Sequence, residues 1–256
     1  MRKSLNAILL HLYKSLFGPA PQAVPTRSLL RYLVSQRRIF DLVSLALQTR
    51  WLGGVRRLNR RASVDDRHLA AAHDYNAGVT AGKLITSTRR PEPIYRIAGL
   101  LARPVAADRV LIVGPRNVQE FLVAWIHGFS WKNLQAIDLY STHPKIRTMD
   151  MHRIEFPDAS FEVVTMVNTL GYASDVGTVI ANVARVLVPG GRFCFSHAHV
   201  PESTTFPGDL VSGESVVEIC RAAGLRVYFH QVEEKTNSKG MRQFSHYIGV
   251  EKPAAR

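Results

Sequence analysis

Four consecutive apolar residues that end at a glycine decide the fold class of this chain. The run covers residues 110–113, and Gly114-Pro115 closes it. A short, β-branched run bounded by glycine and proline predicts a buried strand that ends in a turn. The apolar residues 118–126 that follow predict a helix packed against a sheet. Strand, glycine turn and helix indicate an α/β fold whose ligand lies over the carboxyl ends of the strands.

Composition and charge narrow the function classes. Hydrophobic residues make up 46% of the 256 residues, enough for a substantial core. The formal charge of +13 is concentrated in residues 1–67, which hold 13 Lys/Arg and 3 Asp/Glu. Because no recognised binding motif accompanies this charge, the sequence argues against nucleic acid as a partner. Cys194 and Cys220 lie in apolar runs without metal-ligand spacing, so we expect buried free thiols and predict no metal site.

The amino-terminal segment has a helical pattern with basic residues. Residues 1–17 place apolar side chains at helical intervals, and a second amphipathic segment covers residues 28–51. Three interpretations stay open: helices that pack on or close over the rest of the chain, a membrane-surface helix contacting anionic lipid through residues 1–25, and an organellar transit peptide. The first is favoured. No apolar run is long enough to span a bilayer, so we expect a cytoplasmic location, with peripheral membrane contact as the alternative.

Strands and helices alternate in the remainder of the chain. Helices are predicted over residues 92–101, 118–126, 175–187 and 215–223, and strands over 109–113, 134–139, 161–167 and 192–197. Two further strands, over 227–232 and 244–250, predict a closing antiparallel hairpin. We therefore divide the chain into a basic helical extension, residues 1–90, and an α/β domain, residues 91–256.

An acid at the end of the second predicted strand is the first candidate ligand residue. Asp138 lies 24 positions after Gly114. In dinucleotide-type sites a carboxylate about 20 residues beyond the glycine turn accepts hydrogen bonds from ribose hydroxyls. A strand-end aspartate that caps a turn is the alternative. The position relative to the glycine turn favours the ribose-binding interpretation.

Three longer motifs together resemble one family. They are Val-Leu-Ile-Val-Gly-Pro at 110–115, Asp-Met-His-Arg-Ile-Glu-Phe-Pro-Asp-Ala-Ser-Phe-Glu-Val-Val at 150–164, and Asn-Val-Ala-Arg-Val-Leu-Val-Pro-Gly-Gly-Arg-Phe at 182–193. Over about residues 95–252 the chain resembles the class I S-adenosylmethionine-dependent methyltransferases. The resemblance implies a Rossmann-like, seven-stranded α/β sheet with an antiparallel C-terminal hairpin. It also implies methyltransferase activity with S-adenosyl-L-methionine as the cofactor.

The resemblance assigns cofactor contacts to residues at the strand ends. Gly114 would let the backbone approach the methionine part, and Asp138 would hold the ribose hydroxyls. Asp150 and the backbone N–H of Met151 would bind the adenine ring. Asn168 to Leu170 would line the reacting methyl group.

The glycine turn departs from the family pattern at Pro115, Arg116 and Asn117, where further glycines are usual. Proline offers no N–H to a ligand, and a left-handed non-glycine residue costs about 1–2 kcal/mol. Either the turn has another shape, or cofactor binding is weakened. The Arg116 guanidinium could pair with the carboxylate of the cofactor, although a solvent-facing arginine is an equal alternative.

Methyl transfer asks little covalent help from the protein, because in-line placement of the acceptor supplies most of the acceleration. A base is needed only where the acceptor must lose a proton early. His152, His197 and His199 are candidates, with His197 at the end of the fifth strand the best placed. Tyr172 could orient an acceptor, and purely structural roles are the alternative for all four residues.

By resemblance to the family, the acceptor is expected to be a small molecule, a lipid or a glycan precursor. The Asn-Pro-Pro-Tyr motif associated with amino-group methylation of bases or glutamine is absent, which favours oxygen or another small-molecule acceptor. A non-catalytic binding or regulatory protein with the same fold is the first rival. A nicotinamide-dependent oxidoreductase is the second, and the missing Gly-x-Gly-x-x-Gly pattern argues against it.

Overall fold

A computed structural model describes residues 29–51, 55, 74, 78, 88–102, 104–105, 107–202, 207–237 and 240–254. The predicted helix over residues 1–17 and the predicted membrane contact of residues 1–25 lie outside these residues. The division of the chain at residue 90 stays a prediction.

Among the described residues, seven strands form one sheet in the order β3-β2-β1-β4-β5-β7-β6. The strands are β1 Val110–Val113, β2 Leu134–Asp138, β3 Ile146–Thr148, β4 Phe161–Val167, β5 Leu187–His199, β6 Arg226–Thr236 and β7 Arg242–Glu251. The first five run parallel, and β7 lies antiparallel between β5 and β6. This arrangement confirms the predicted Rossmann-like sheet with its antiparallel C-terminal hairpin.

Helices flank the sheet on both faces. The longer ones are α1 Leu29–Ser35, α2 Arg37–Thr49, α3 Glu92–Leu101, α4 Gln119–Ile126, α5 Val176–Val186 and α6 Gly213–Ala222. The amphipathic segment predicted over residues 28–51 thus forms two helices, α1 and α2, separated at Gln36. In the described ranges, no helix has the length and apolar character that a membrane crossing requires.

The core has two halves, one on each face of the sheet, because successive strand residues point to opposite sides. In β1, Leu111 belongs to the half covered by α5 and α6, whereas Ile112 belongs to the half covered by α2, α3 and α4. Phe40 of α2 is 0% exposed and packs in this second half. The second amphipathic segment therefore covers the α/β domain. Cys194 and Cys220 are buried free thiols, as predicted.

Candidate functional site

Gly114 ends β1 in a conformation and at a distance that exclude a side chain. Its φ is +71°, a left-handed value that favours glycine. A Cβ built there would lie 2.3 Å from Cγ2 of Thr169, which follows β4. The backbone N–H of Gly114 donates to the carbonyl of Ile137 at 2.8 Å. The ends of β1, β2 and β4 therefore meet closely at this glycine.

The turn after Gly114 has no left-handed residue besides the glycine itself. Pro115, Arg116 and Asn117 all keep negative φ values. The turn therefore has a shape in which none of these three residues bears the conformational cost of a left-handed non-glycine residue. Asn117 Oδ1 accepts from the backbone N–H of Gln119 at 2.9 Å and so satisfies a free donor at the start of α4.

Asp138 ends β2 beside this turn. Its Oδ1 accepts from the backbone N–H of Tyr140 at 3.2 Å. Burial raises the pKa of the Asp138 carboxyl to about 7, although hydrogen bonds from two backbone N–H groups and the charge of Arg116 act in the opposite direction. A carboxyl in this state gains by meeting hydroxyl donors, which replace the lost hydration.

Asn168 ends β4 in a strained conformation. Its φ is +52°, and asparagine is among the residues that tolerate this region. Ser196 of β5 holds it there, because the Ser196 hydroxyl donates to Asn168 Oδ1 at 3.0 Å and the Ser196 carbonyl accepts from its N–H at 3.1 Å. Strain of this kind is concentrated at functional sites.

These strand ends surround a cleft of about 820 Å³ that is open to solvent. The residues lining this cleft are Thr88, Arg90, Pro91, Gly114, Arg116, Asn117, Gln119, Glu120, Asp138, Val167, Asn168, Thr169 and Tyr172. The cleft lies over the carboxyl ends of the strands, where ligands bind in folds of this kind. It thus brings together five residues predicted from the sequence, namely Gly114, Arg116, Asp138, Asn168 and Tyr172.

A buried network of side-chain amides and hydroxyls connects α2 to the turn of the cleft. Gln119 Oε1 accepts from the Ser44 hydroxyl at 3.2 Å and from the Thr88 N–H at 3.1 Å. Gln48 donates to the Ser44 hydroxyl at 2.7 Å and accepts from the Asn117 side chain at 3.2 Å. The turn that lacks the usual glycines is therefore held from outside by α2.

We expect Gln48→Leu to lower the free energy of unfolding by about 1–3 kcal/mol, because the Ser44 and Asn117 groups lose a buried partner. The change should also weaken ligand binding in the cleft, since Asn117 lines it. Chemical denaturation measures the first effect and calorimetric titration the second. Thr49→Val is the matched control, because Thr49 is on the same helix and its exposed hydroxyl donates to the helix carbonyls of Leu45 and Ala46. Equal behaviour of the two variants would contradict a role for the network.

Asp150 and Met151 do not line the cleft. Asp150 Oδ1 accepts from the backbone N–H and from Nδ1 of His152, at 2.9 and 2.8 Å. His152 Nε2 in turn accepts from the Ser174 N–H at 3.2 Å, so Nδ1 carries the proton. Burial alone would raise the pKa of Asp150, but the bonds from His152 outweigh it and lower the pKa. Met151 packs against the core. Adenine contacts by Asp150 and Met151 stay a prediction.

Leu170 and His197 are also outside the cleft. The Leu170 side chain is 0% exposed and belongs to the core. His197 is equally buried, and its Nε2 donates to the carbonyl of Val211 at 2.7 Å. Burial lowers the pKa of His197 and keeps the ring neutral. A base must reach the proton it removes, so this arrangement gives the predicted catalytic role of His197 no support. His199 stacks on Phe244, with ring centroids 5.8 Å apart.

Sequence reasoning missed Glu120, which lines the cleft from the first turn of α4. The signal was available, because Glu120 is the sole charged residue of α4, a helix whose last six residues are all apolar. Thr88, Arg90 and Gln119 were missed for a different reason, since they depend on how the segment before α3 folds back. Among the described residues, no group of three or more His, Cys, Asp or Glu side chains is placed to hold a metal ion.

The sheet order, the glycine turn and the cleft at the strand ends define a Rossmann-like methyltransferase fold. A family model described as a methyltransferase domain matches residues 129–195. The match and the sheet order are those of the class I S-adenosylmethionine-dependent methyltransferases, whose fold this chain shares.

Two solved structures resemble the fold. One is the Haemonchus contortus phosphoethanolamine N-methyltransferase 2 in complex with phosphomonomethylethanolamine and S-adenosylhomocysteine, with a TM-score of 0.54, 15% identity and coverage of 73% of this chain and 59% of that one. The other is the Burkholderia thailandensis 1,6-didemethyltoxoflavin-N1-methyltransferase with 1,6-didemethyltoxoflavin and S-adenosylhomocysteine bound. Its TM-score is 0.51 and its sequence identity 17%, and the match covers 75% of this chain and 92% of that one.

Among curated proteins, the mouse EEF1A lysine methyltransferase 4 is 31% identical over 114 residues. The match spans 34% of this chain and 44% of the mouse protein, which is less than half of its length.

Proposed function

We propose that this chain is a methyltransferase that binds S-adenosyl-L-methionine in the cleft and transfers its methyl group to a small-molecule, lipid or glycan-precursor acceptor. The observation that carries the proposal is the convergence of Gly114, Asp138 and Asn168, from three different strand ends, on one cleft of the methyltransferase fold. The bound S-adenosylhomocysteine of two structures with the same fold supports the choice of cofactor.

The residues present fit this cofactor chemically. The Asp138 carboxyl is desolvated at the end of β2, where two vicinal hydroxyls would restore its hydrogen bonds. The bare backbone of Gly114 allows a close approach at the end of β1. Arg116 lines the same cleft and offers a guanidinium to the carboxylate of the cofactor.

The bound cofactor supplies the chemistry, a methyl group on a positively charged sulfur. The chain's own residues position the acceptor and exclude competing water. Asn168, held in its strained conformation by Ser196, fixes the cleft wall at the end of β4. Tyr172 lines the same wall and is suited to orient an acceptor by its hydroxyl. No residue of the cleft needs to form a covalent bond.

We expect micromolar binding of S-adenosylmethionine and S-adenosylhomocysteine in calorimetric titrations of the full chain. NAD is the control nucleotide, because it tests the rival oxidoreductase. Binding of NAD without either adenosyl compound would contradict the proposal.

Transfer of a labelled methyl group then identifies the acceptor. Small hydroxylated and aminated molecules, extracted lipids and glycan-lipid precursors form three separate assays. A protein-lysine acceptor is the fourth, because the mouse relative carries that activity in its name. Labelling in the fourth assay alone would overturn the acceptor class proposed here. Cofactor binding without transfer in any of the four would favour the non-catalytic alternative.

A further inference from the structure

Glu120 is a carboxyl side chain inside the cleft whose hydrogen bonds are incomplete. It lies in the first turn of α4 and lines the cleft together with Gly114, Arg116 and Asp138. Its Oε1 accepts from the backbone N–H of Arg116 at 3.3 Å. Its Oε2 is buried and has no hydrogen-bond partner in the part of the chain that the structure describes.

An ionised carboxylate in this position lacks compensation. Removing a charge from water is costly unless a partner replaces the hydration. The charged groups that face Glu120 are Arg116 from the turn and Asp138 from β2, and they act in opposite directions. Arg90, from the segment before α3, lines the same cleft. Burial is the largest effect and raises the pKa of Glu120 to about 8, so the carboxyl holds a proton in the free protein at neutral pH.

We propose that Glu120 binds the α-ammonium group of the cofactor, while Arg116 binds the adjacent α-carboxylate. The inference rests on the proposed function. It is favoured by charge complementarity, because a zwitterionic amino-acid end needs one anion and one cation side by side. Glu120 and Arg116 provide this pair in the cleft that Gly114 and Asp138 also line. The terminal torsion of a glutamate side chain is soft, so either oxygen can turn towards the ligand.

The proton balance of this binding step is explicit. The free protein carries Glu120 as the neutral acid, and the ligand carries its ammonium group. On binding, the carboxyl loses its proton to solvent, and the carboxylate forms a charge-assisted hydrogen bond with the ammonium group. Ligands that have the amino-acid end therefore release one more proton than ligands that lack it.

The test compares two nucleosides by calorimetric titration of the full chain between pH 6 and pH 8. S-adenosylhomocysteine has the amino-acid end, whereas 5′-methylthioadenosine has the same adenosine and sulfur without it. Titration in buffers of different ionisation enthalpy counts the protons released. We expect the homocysteine compound to release more protons and to gain affinity with rising pH, by up to about tenfold per pH unit. Asp138 contributes equally to both nucleosides, so the difference between them isolates Glu120.

In Glu120→Gln, the two nucleosides should no longer differ in the number of protons that they release on binding. The amide retains an oxygen for the Arg116 N–H but cannot ionise, so S-adenosylhomocysteine should bind at least about tenfold more weakly and 5′-methylthioadenosine unchanged. Glu155→Gln is the matched control, because Glu155 is an exposed carboxylate beside Arg153. The proposal would be contradicted if the two nucleosides released equal numbers of protons and Glu120→Gln left both affinities unchanged. Glu120 would then serve only to accept the hydrogen bond from the Arg116 N–H. Failure of both nucleosides to bind the unaltered chain would instead overturn the proposed function, and the inference with it.

Thermal unfolding without ligand gives a second readout. A carboxyl with a raised pKa in the folded chain stabilises it below the ordinary value and loses that contribution as the pH rises through the folded value. The folded chain should therefore lose stability between about pH 5 and pH 8, and Glu120→Gln should lose less. The variant is thus expected to fold, with a higher Tm at pH 8 and weaker ligand binding. A lower Tm together with equal loss of both nucleosides would show a structural role and contradict the proposal.

Discussion

Gly114→Ala is expected to abolish measurable cofactor binding and to destabilise the fold. A left-handed alanine costs about 1–2 kcal/mol, and overpacking against Thr169 adds about 1–3 kcal/mol. The new methyl group would lie 2.3 Å from Thr169 Cγ2, so the ends of β1 and β4 must separate. Denaturant unfolding measures the loss of stability, and titration with S-adenosylhomocysteine measures the loss of binding.

Gly224→Ala separates the two causes. Gly224 has a φ of +78°, close to that of Gly114, but no atom of the described residues lies within 4 Å of its added Cβ. It should therefore show the conformational cost alone, about 1–2 kcal/mol, with normal binding. Equal losses of stability in the two variants would contradict the steric part of the explanation.

Asp138→Asn is expected to weaken cofactor binding by roughly 10–150-fold, because hydrogen bonds to a charged group contribute about 1.5–3 kcal/mol. The fold should survive, because the asparagine amide oxygen can still accept from the Tyr140 N–H. The amide is also uncharged, like the protonated Asp138 carboxyl that it replaces. The pKa of Asp138 is raised to about 7 in the folded chain, so the carboxyl loses its stabilising proton as the pH rises through that value. The variant without ligand should therefore be relatively more stable than the unaltered chain at pH 8.

Asp158→Asn is the control for this substitution. Asp158 is an exposed carboxylate that pairs with Arg185 outside the cleft, and its loss should change stability by about 0–1 kcal/mol. Titration calorimetry of both variants with S-adenosylhomocysteine gives the comparison. Unchanged affinity in Asp138→Asn would remove Asp138 from the site.

The central strands could be predicted because each is a continuous apolar run. β1 and β4 are buried on both sides, so their residues are apolar at nearly every position, and the sequence predicts both within one residue. β3 could not be predicted from hydrophobic periodicity, because it is a three-residue edge strand with one buried residue, Ile146. Its existence followed only from the seven strands that the family resemblance implied. The cytoplasmic location stays a prediction.

The site was predictable where a residue follows directly from a strand end. Asp138 is the last residue of β2, and Gly114 and Asn168 directly follow β1 and β4, so the order of elements alone brings them to one edge of the sheet. Glu120 and Gln119 contact the cleft through α4, and their roles depend on helix rotation and on partners far along the chain. His197 illustrates the converse, because β5 continues to His199 and the His197 ring is buried inside the strand and not presented at its end.

Because α2 packs on α4, a delay during synthesis on the ribosome separates the two halves of this contact. Phe40 is translated 81 residues before Phe121, which shares its half of the core. At a translation rate of about 5–20 residues per second, α4 is synthesised on the order of 4–16 s after α2. Ser44 and Gln48 are translated 75 and 69 residues before their partners Gln119 and Asn117, so the turn of the cleft is completed only when α2 packs on it. Until then the apolar face of α2 has no partner in α4.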